Sequence, residues 1–312
     1  LINHVTLSSL CCVLGIVGNV INIRVFVKQG LAKSINTSFF AMAVSDILEL
    51  LTQLVHNLCL NPYLVLLDPN VNFVDIQYLF AGCQSIIFVR ITGWITAYVT
   101  AERCLSIAVP LKIKEIVTPG RTAAILVFIY AFNIATAIPL YFWAYIAWNF
   151  YPEQNRTKLG LTFRNNKLEI GVLNSNLHSS LITTAFLLVV LFTSILVYAL
   201  RKQSKWRRKT ASKAVKTEAL SSRHRKTVVM VVVVAAVLIV CYTPAITCSV
   251  ATAITDDFSF AGKQANVYHA AWSFAFLLHS VNSSITILLY YKTSTRFRQS
   301  LQEMFGGQKT KS

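Results

Sequence analysis

Of the polar residues that stand inside long apolar runs of this 312-residue chain, the most informative are Asn19, Asp46, Glu49, Arg90, Glu102, Arg103, Asn282 and Ser283. A polar or charged group in apolar surroundings is costly, and where it persists it usually works. Asp46, Glu49 and Arg90 are the types that could hold a cation or pass a proton. Glu102 beside Arg103 is an acid–base pair that could hold or release a guanidinium. The sequence has no nucleophile–base pair and no glycine-rich phosphate loop. Its seven cysteines form no CxxC pair and no Cys/His metal spacing. These residues therefore point away from an enzyme.

The elements that carry them are apolar helices. The chain is 55% hydrophobic and 13% charged, whereas a soluble domain is roughly a quarter charged. About 20 apolar residues cross about 30 Å of hydrocarbon. Seven runs are long enough, at about 5–27, 37–60, 77–105, 122–146, 178–200, 228–254 and 268–291. The sequence thus predicts an all-α membrane protein, a seven-helix bundle in one domain over residues 1–312. No internal repeat echoes between its halves, which disfavours a carrier built on inverted repeats. The formal charge of +17 would suggest nucleic acid in a soluble protein. Here the bases lie between apolar runs, so the lipid bilayer is the partner and nucleic acid is not.

Charge also orients the bundle. The stretch 201–226 carries eleven Lys and Arg against one acid, Glu218. Placed in the cytoplasm, it puts 23 of the 29 basic residues inside and five outside, with Arg90 within a span. Positive charge is retained on the inside. The amino end is then extracellular, the carboxyl end cytoplasmic, and the protein a multi-pass plasma-membrane protein. The outer loops hold six acids and five bases, so charge there does not choose a ligand. Asn155-Arg156-Thr157 is a glycan acceptor pattern on the outer side. Asn36-Thr37-Ser38 also matches, but on the inner side. After the last span, Phe297, Leu301 and Phe305 form one apolar stripe on a basic segment. That predicts a helix at about 293–305 lying on the membrane surface. The chain begins at Leu1 with no signal peptide in view, as a fragment or trimmed chain would.

Five motifs in order resemble the rhodopsin-like G-protein-coupled receptors. They are Gly18-Asn19-Val20 in span one, Ala43-Val44-Ser45-Asp46 in span two, and Glu102-Arg103-Cys104 followed by Pro110-Leu111 closing span three. Cys241-Tyr242-Thr243-Pro244 stands in span six, and Tyr290 with Phe297 closes span seven. The resemblance covers essentially the whole chain. The stretch 102–122, ERCLSIAVPLKIKEIVTPGRT, further resembles molluscan chemosensory and orphan receptors and, more distantly, invertebrate neuropeptide receptors.

The resemblance implies roles. Glu102, Arg103, Pro110, Leu111, Tyr198 and Tyr290 would serve coupling to a heterotrimeric G protein. Asn19, Asp46, Thr92, Asn282 and Ser283 would form a polar cluster that in the family holds a sodium ion. Otherwise the cluster is a hydrogen-bonded knot without an ion; no other cofactor is implied. Tyr242 and Pro244 would form the activation hinge. An extracellular ligand, a short peptide or a small chemosensory molecule, would meet Ser85, Val89, Arg90, Tyr268, Trp272 and His279. Arg90 lies two residues before Thr92, about 200° around the helix, and so points toward spans four and five rather than at Asp46. Ser85 stands where amine receptors carry an aspartate, and Ser280 where visual pigments carry lysine, which excludes both classes. His224, flanked by Arg223, Arg225 and Lys226, stands where many relatives carry an acid that latches the span-three arginine.

The departures are equally specific. Thr286-Ile287 replaces the Asn-Pro of span seven, Val190 the proline of span five, and Tyr130 the tryptophan of span four. The second outer loop has no cysteine and Cys83 sits five residues deep, so the family's usual disulfide is absent. Cys59 and Cys83 are left as two free thiols or as a substitute bridge. From a different class, a transporter or proton-coupled carrier would use Asp46, Glu49 and Arg90 as a relay.

Overall fold

The computed structural model describes residues 2–110, 112–152, 155–164, 167–210, 218–255, 257–259 and 262–305. Leu111, the tail beyond Phe305, and the side chains of Glu218, Arg223 and His224 lie outside the described residues.

Among the described residues, seven helices are long and apolar enough to cross a membrane. We label them α1 (Ser9–Gln29), α2 (Ser34–Cys59), α3 (Cys83–Ala108), α4 (Pro119–Ala135), α5 (Lys167–Thr210), α6 (Glu218–Ile254) and α7 (Ala265–Thr293), with the short α8 (Thr295–Phe305) after them. The apolar window of span three is 72% buried and that of span four 22%. Span three is therefore the hub of the bundle, and span four lies at its rim with most of its apolar face turned to lipid. A continuous cluster of buried apolar residues runs down the middle. Ile91, Ile95 and Val99 of α3 pack with Phe26, Phe39, Leu126, Leu196, Val231 and Tyr290 from six other spans.

The boundaries differ from the sequence reading where polar ends prolong a helix. α5 and α6 extend into the basic segment between them, well beyond 178–200 and 228–254. Water satisfies a protruding turn as readily as a loop. Span three starts earlier, at a short helix Phe73–Gln77 and a π-helical turn Tyr78–Gly82. The expected 122–146 overshoots. A short helix Ile138–Trp143 closes span four, and Ala144 begins a strand.

That strand belongs to an element the sequence reading lacked. β1 (Ala144–Tyr151) pairs antiparallel with β2 (Arg156–Phe163) in a hairpin between spans four and five. The aromatic and β-branched residues Tyr145, Ile146, Trp148, Phe150 and Tyr151 suit a strand. The first of them, up to Ile146, were absorbed into span four and the rest left to the outer loop, because short apolar runs do not distinguish strand from helix. Asn155 sits at the exposed hairpin tip with φ of 47°, a conformation Asn tolerates better than most residues.

Candidate functional site

The polar centre is assembled from α1, α2, α3 and α7. Asp46 is fully buried, and its Oδ1 accepts from Thr92 at 2.9 Å and Ser283 at 3.2 Å. Asn19 donates to the Ser283 carbonyl at 2.8 Å, and Thr286 donates to Asn19 Oδ1 at 3.2 Å. Asn22, one helical turn on, donates to both Asn19 and Thr286. Asn282 is buried on the same span but joins none of these bonds. Asp46 Oδ2 and both oxygens of Glu49 are buried without a hydrogen-bond partner among the described residues. Glu49 stands one turn above Asp46 on the same face of α2.

Toward the hairpin end, a second polar chain crosses the bundle. Ser85 donates to Gln53 at 2.9 Å, Gln53 to Asn57 at 3.0 Å, and Asn57 to Ser8 at 3.0 Å. Ser8 meets Ser280 at 3.1 Å. Ser85 is thus engaged and buried rather than open to a ligand. Arg90 points away from Asp46, as its helical phase requires. Its Nε donates to Asn133 Oδ1 at 2.8 Å and its Nη2 to the Asn133 carbonyl at 3.1 Å and to Thr136. The sequence reading named no partner for it; the partners are side chains and backbone of span four.

Tyr242 ties α6 to α3. Its hydroxyl donates to the Val89 carbonyl at 2.8 Å, and its ring lies 4.9 Å from that of His279. Pro244 lies inside α6 two residues on, where its missing N–H weakens the helix ladder. Above His279 an aromatic row climbs α7 at helical spacing. His279 meets Phe276 at 6.4 Å, Phe276 meets Trp272 at 5.9 Å, and Trp272 meets Tyr268 at 6.1 Å. The ring nitrogens of His279, Nε1 of Trp272 and Nδ1 of His178 are buried without partners. Phe276 and His178 were missed in the sequence. His178 was findable as an ionisable group inside a span. Phe276 carried no signal beyond its i+4 spacing from Trp272.

At the basic end, Arg103 turns back onto its neighbour, its Nη2 paired with Glu102 Oε1. The arginine side chain is 12% exposed and the glutamate 3%. Tyr290 is buried among Phe26, Phe39 and Phe297, at ring distances of 5.2, 5.0 and 5.6 Å. Pro110 begins the turn after α3. Tyr198 is 68% exposed on α5, and no bond between it and the Glu102–Arg103 pair is found among the described residues. Its phase on α5 turns it outward, where an amphipathic phenol is easily accommodated.

At the opposite end the hairpin is bound to the top of span three without a covalent link. Tyr151 donates to Asp75 Oδ2 at 2.6 Å, and Asn72 donates to the Tyr151 hydroxyl at 3.2 Å. Burial, with the Asp75 carboxylate beside it, pushes the Tyr151 phenol above its ordinary value. Backbone bonds flank the pair, Leu159 N to Asn70 O at 2.7 Å and Asn72 N to Leu159 O at 2.9 Å. Cys59 and Cys83 are both free, as are the other five cysteines.

A bundle of this topology, with a buried span-two aspartate and an acid–arginine pair closing span three, is that of a seven-transmembrane receptor. Residues 18–290 match the family model of the 7 transmembrane receptor (rhodopsin family), and the chain belongs to that family. That family is one of multi-pass membrane receptors rather than of enzymes. Among curated proteins it is similar to growth hormone secretagogue receptor type 1 of Oryctolagus cuniculus, 26% identical over 242 residues, covering 74% of this chain and 61% of that receptor. The same receptor of Sus scrofa is 24% identical over 234 residues, with the same coverage. Neurotensin receptor type 2 of Mus musculus is 28% identical over 145 residues, covering 43% of this chain and 32% of that one. The chain spans about three fifths of the length of the first two. Molluscan chemosensory receptors are not among these matches, and that narrower likeness stays an expectation.

Proposed function

We propose that this chain is a ligand-activated signalling receptor. It takes an extracellular ligand at the hairpin end, swings α6 about Pro244, and engages a heterotrimeric G protein at Arg103. The observation that carries the proposal is Arg103 folded onto Glu102 at the basic end of the central span. A guanidinium held by one carboxylate is a latch that a better-placed acceptor can open. The charge distribution supports an extracellular amino end and a cytoplasmic basic end. The curated relatives are named for a growth hormone secretagogue and for neurotensin. Their names support the short-peptide class over a small chemosensory molecule. A ligand descending the aromatic row of α7 would reach His279 and, through it, Tyr242. The exposed Asn155 at the hairpin tip would carry the glycan.

A sodium ion at Asp46 belongs to the same proposal. The orphaned Asp46 Oδ2 is the kind of atom such an ion satisfies. Asp46, Thr92 and Ser283 would hold it, and it would supply the positive charge the buried carboxylate lacks. The carrier reading fares worse, because Arg90 is engaged by span four and so is withdrawn from any relay with Asp46 and Glu49.

Arg103→Ala tests the proposal. It should abolish ligand-stimulated nucleotide exchange while surface expression and ligand binding persist. Equal signalling at matched surface levels would remove Arg103 from the coupling site. Substrate uptake into vesicles without any exchange response would favour the carrier.

A further inference from the structure

The basic ends of α1, α2, α6, α7 and α8 enclose a cavity of about 630 Å³, within the range of small-molecule sites. Lys33, Lys226 and Arg296 stand on its wall, and no aspartate or glutamate among the described residues does. Arg296 is held in place by its bond to the Gln29 carbonyl at 3.0 Å. Neither lysine forms an ion pair among the described residues. The acid of α8, Glu303, is engaged elsewhere, by Lys28 at 3.1 Å.

Two helix starts open on the same space. Ile35 and Asn36 line it from the first turn of α2, whose N-cap, Lys33, contributes no side-chain acceptor. Thr295 and Arg296 line it from the first turn of α8. Helix starts carry partial positive charge, which favours anions; the Asn36 amide here turns to the Lys33 carbonyl at 2.9 Å and the Phe297 amide to Ser294 Oγ at 3.2 Å, so it is the charge rather than a free amide that each start offers. Ser294, Thr293 and Gln299 add neutral polar groups to the wall. Three cations and two helix starts around one cavity repel each other unless an anion joins them. The multiplicity of cations suits several phosphate groups rather than one carboxylate, because each phosphate offers three acceptor oxygens.

We propose that this cavity binds a polyphosphorylated inositol, either as the headgroup of an inner-leaflet lipid or as the soluble molecule. The proposal rests on the cytoplasmic placement of the basic end argued above, but not on the G-protein reading, since Arg103 is not on the cavity wall.

The test uses the full chain in phosphatidylcholine nanodiscs, titrated with inositol hexakisphosphate. Matched discs carry phosphatidylinositol 4,5-bisphosphate instead. Saturable binding and a raised thermal midpoint are expected. Neutralising Lys33, Lys226 and Arg296 together to Gln should weaken binding at least about tenfold, the loss of one charge-assisted contact or more. Lys33→Gln with Lys226→Gln, which removes no bond within the fold, should act in the same direction. Neutralising Arg201, Lys202 and Lys292, exposed cations off the cavity wall, should leave binding unchanged. A response to the lipid discs alone would assign the source to the membrane, and a response to both would assign the shared headgroup. Absence of binding in both arms overturns the proposal. So does equal loss in the two triple variants, which would mean diffuse surface attraction. Tighter binding of hexaglutamate than of the inositol phosphate would also overturn it, in favour of an acidic protein segment. None of these readouts needs a G protein, so failure here and failure of the coupling proposal are distinguishable.

Discussion

Gly160→Ala should loosen the outer hairpin, and it should do so through one atom. A Cβ built at Gly160 falls on the Tyr151 hydroxyl and 2.9 Å from Asp75 Oδ2. The backbone of β2 is pinned by the two bonds of Leu159 to Asn70 and Asn72 and by its ladder to β1, so the phenol must give way.

 It then loses its bond to Asp75, a bond to a charged acceptor worth about 1.5 kcal/mol when half-exposed. Overpacking adds about 1 kcal/mol or more. Tyr151→Phe removes the same bond without the clash and should cost about 1.5 kcal/mol. The two changes should not add. With phenylalanine at 151 the offending hydroxyl is gone and Cζ stands at 3.4 Å from the built Cβ, while Asp75 Oδ2 at 2.9 Å is the end of a flexible side chain that, released from the phenol, can turn away. Hydrogen exchange at the Leu159 and Asn72 amides reads the local opening, and 1.4 kcal/mol is about a tenfold change in rate. Gly160→Ala should therefore speed exchange more than tenfold in the wild-type background and only slightly in Tyr151→Phe. Additive effects would refute the reasoning, because they would place the cost of alanine somewhere other than the phenol. The clamp has a pH signature as well. The folded-state Tyr151 value is raised, so its contribution is complete below the unfolded tyrosine value of about 10 and is lost as pH rises through the folded one.

Three further outcomes follow from the buried groups. Asn133→Leu strips Arg90 of its Nε acceptor and should cost about 3 kcal/mol, read as a lower thermal midpoint and poor surface expression. Arg90→Met combined with Asn133→Leu should recover most of that loss, and no recovery would mean Asn133 matters for another reason. Mild reductant should leave the thermal midpoint and ligand binding unchanged, since the seven cysteines are free; a drop reproduced by Cys59→Ser or Cys83→Ser would reveal a bridge between those two. Sodium should raise the thermal midpoint of the wild type in a saturable way and do nothing for Asp46→Asn, whereas an equal response in both would place the ion elsewhere or nowhere.

The spans and the polar centre were legible because each rests on a signal that the membrane enforces. Apolar length marks a span, and a buried polar group stands out in it, which is how Asn19, Asp46, Thr92 and Ser283 could be named before their bonds were seen. The helical phase of Arg90 against Thr92 gave its direction as well. Its partners were not legible, because Asn133 and Thr136 are unremarkable residues on a span whose rotation is set only by packing. The hairpin was lost for a similar reason. Its strands hold no charge pattern that separates them from the end of span four, and their pairing depends on contacts with residues 70–75 far off in sequence. The exposure of Tyr198 was not legible either, because a family position fixes the residue along α5 but not its contacts in this chain.

The substitution of Thr286-Ile287 for Asn-Pro looks damaging in the sequence and is absorbed in the structure by two neighbours on α1. Thr286 is shorter than asparagine, and Asn22 reaches it at 3.2 Å, so the bonds to Asn19 close into a ring of three side chains. With no proline, α7 runs unbroken from Ala265 to Thr293, and the Ile287 side chain must go somewhere. It goes against Gly18, where a Cβ would stand only 3.1 Å from Ile287 Cγ2. One turn earlier, a Cβ at Gly15 would meet Leu50 Cδ1 at 2.7 Å and Ser284 Cβ at 2.8 Å. Small residues on α1 thus let α7 approach closely, the usual basis of helix contact in lipid, where apolar burial alone gives no drive to associate. Gly18, which carries the family resemblance in span one, is therefore also what makes the departure in span seven tolerable, and the polar centre is closed from α1 by Asn19 and Asn22.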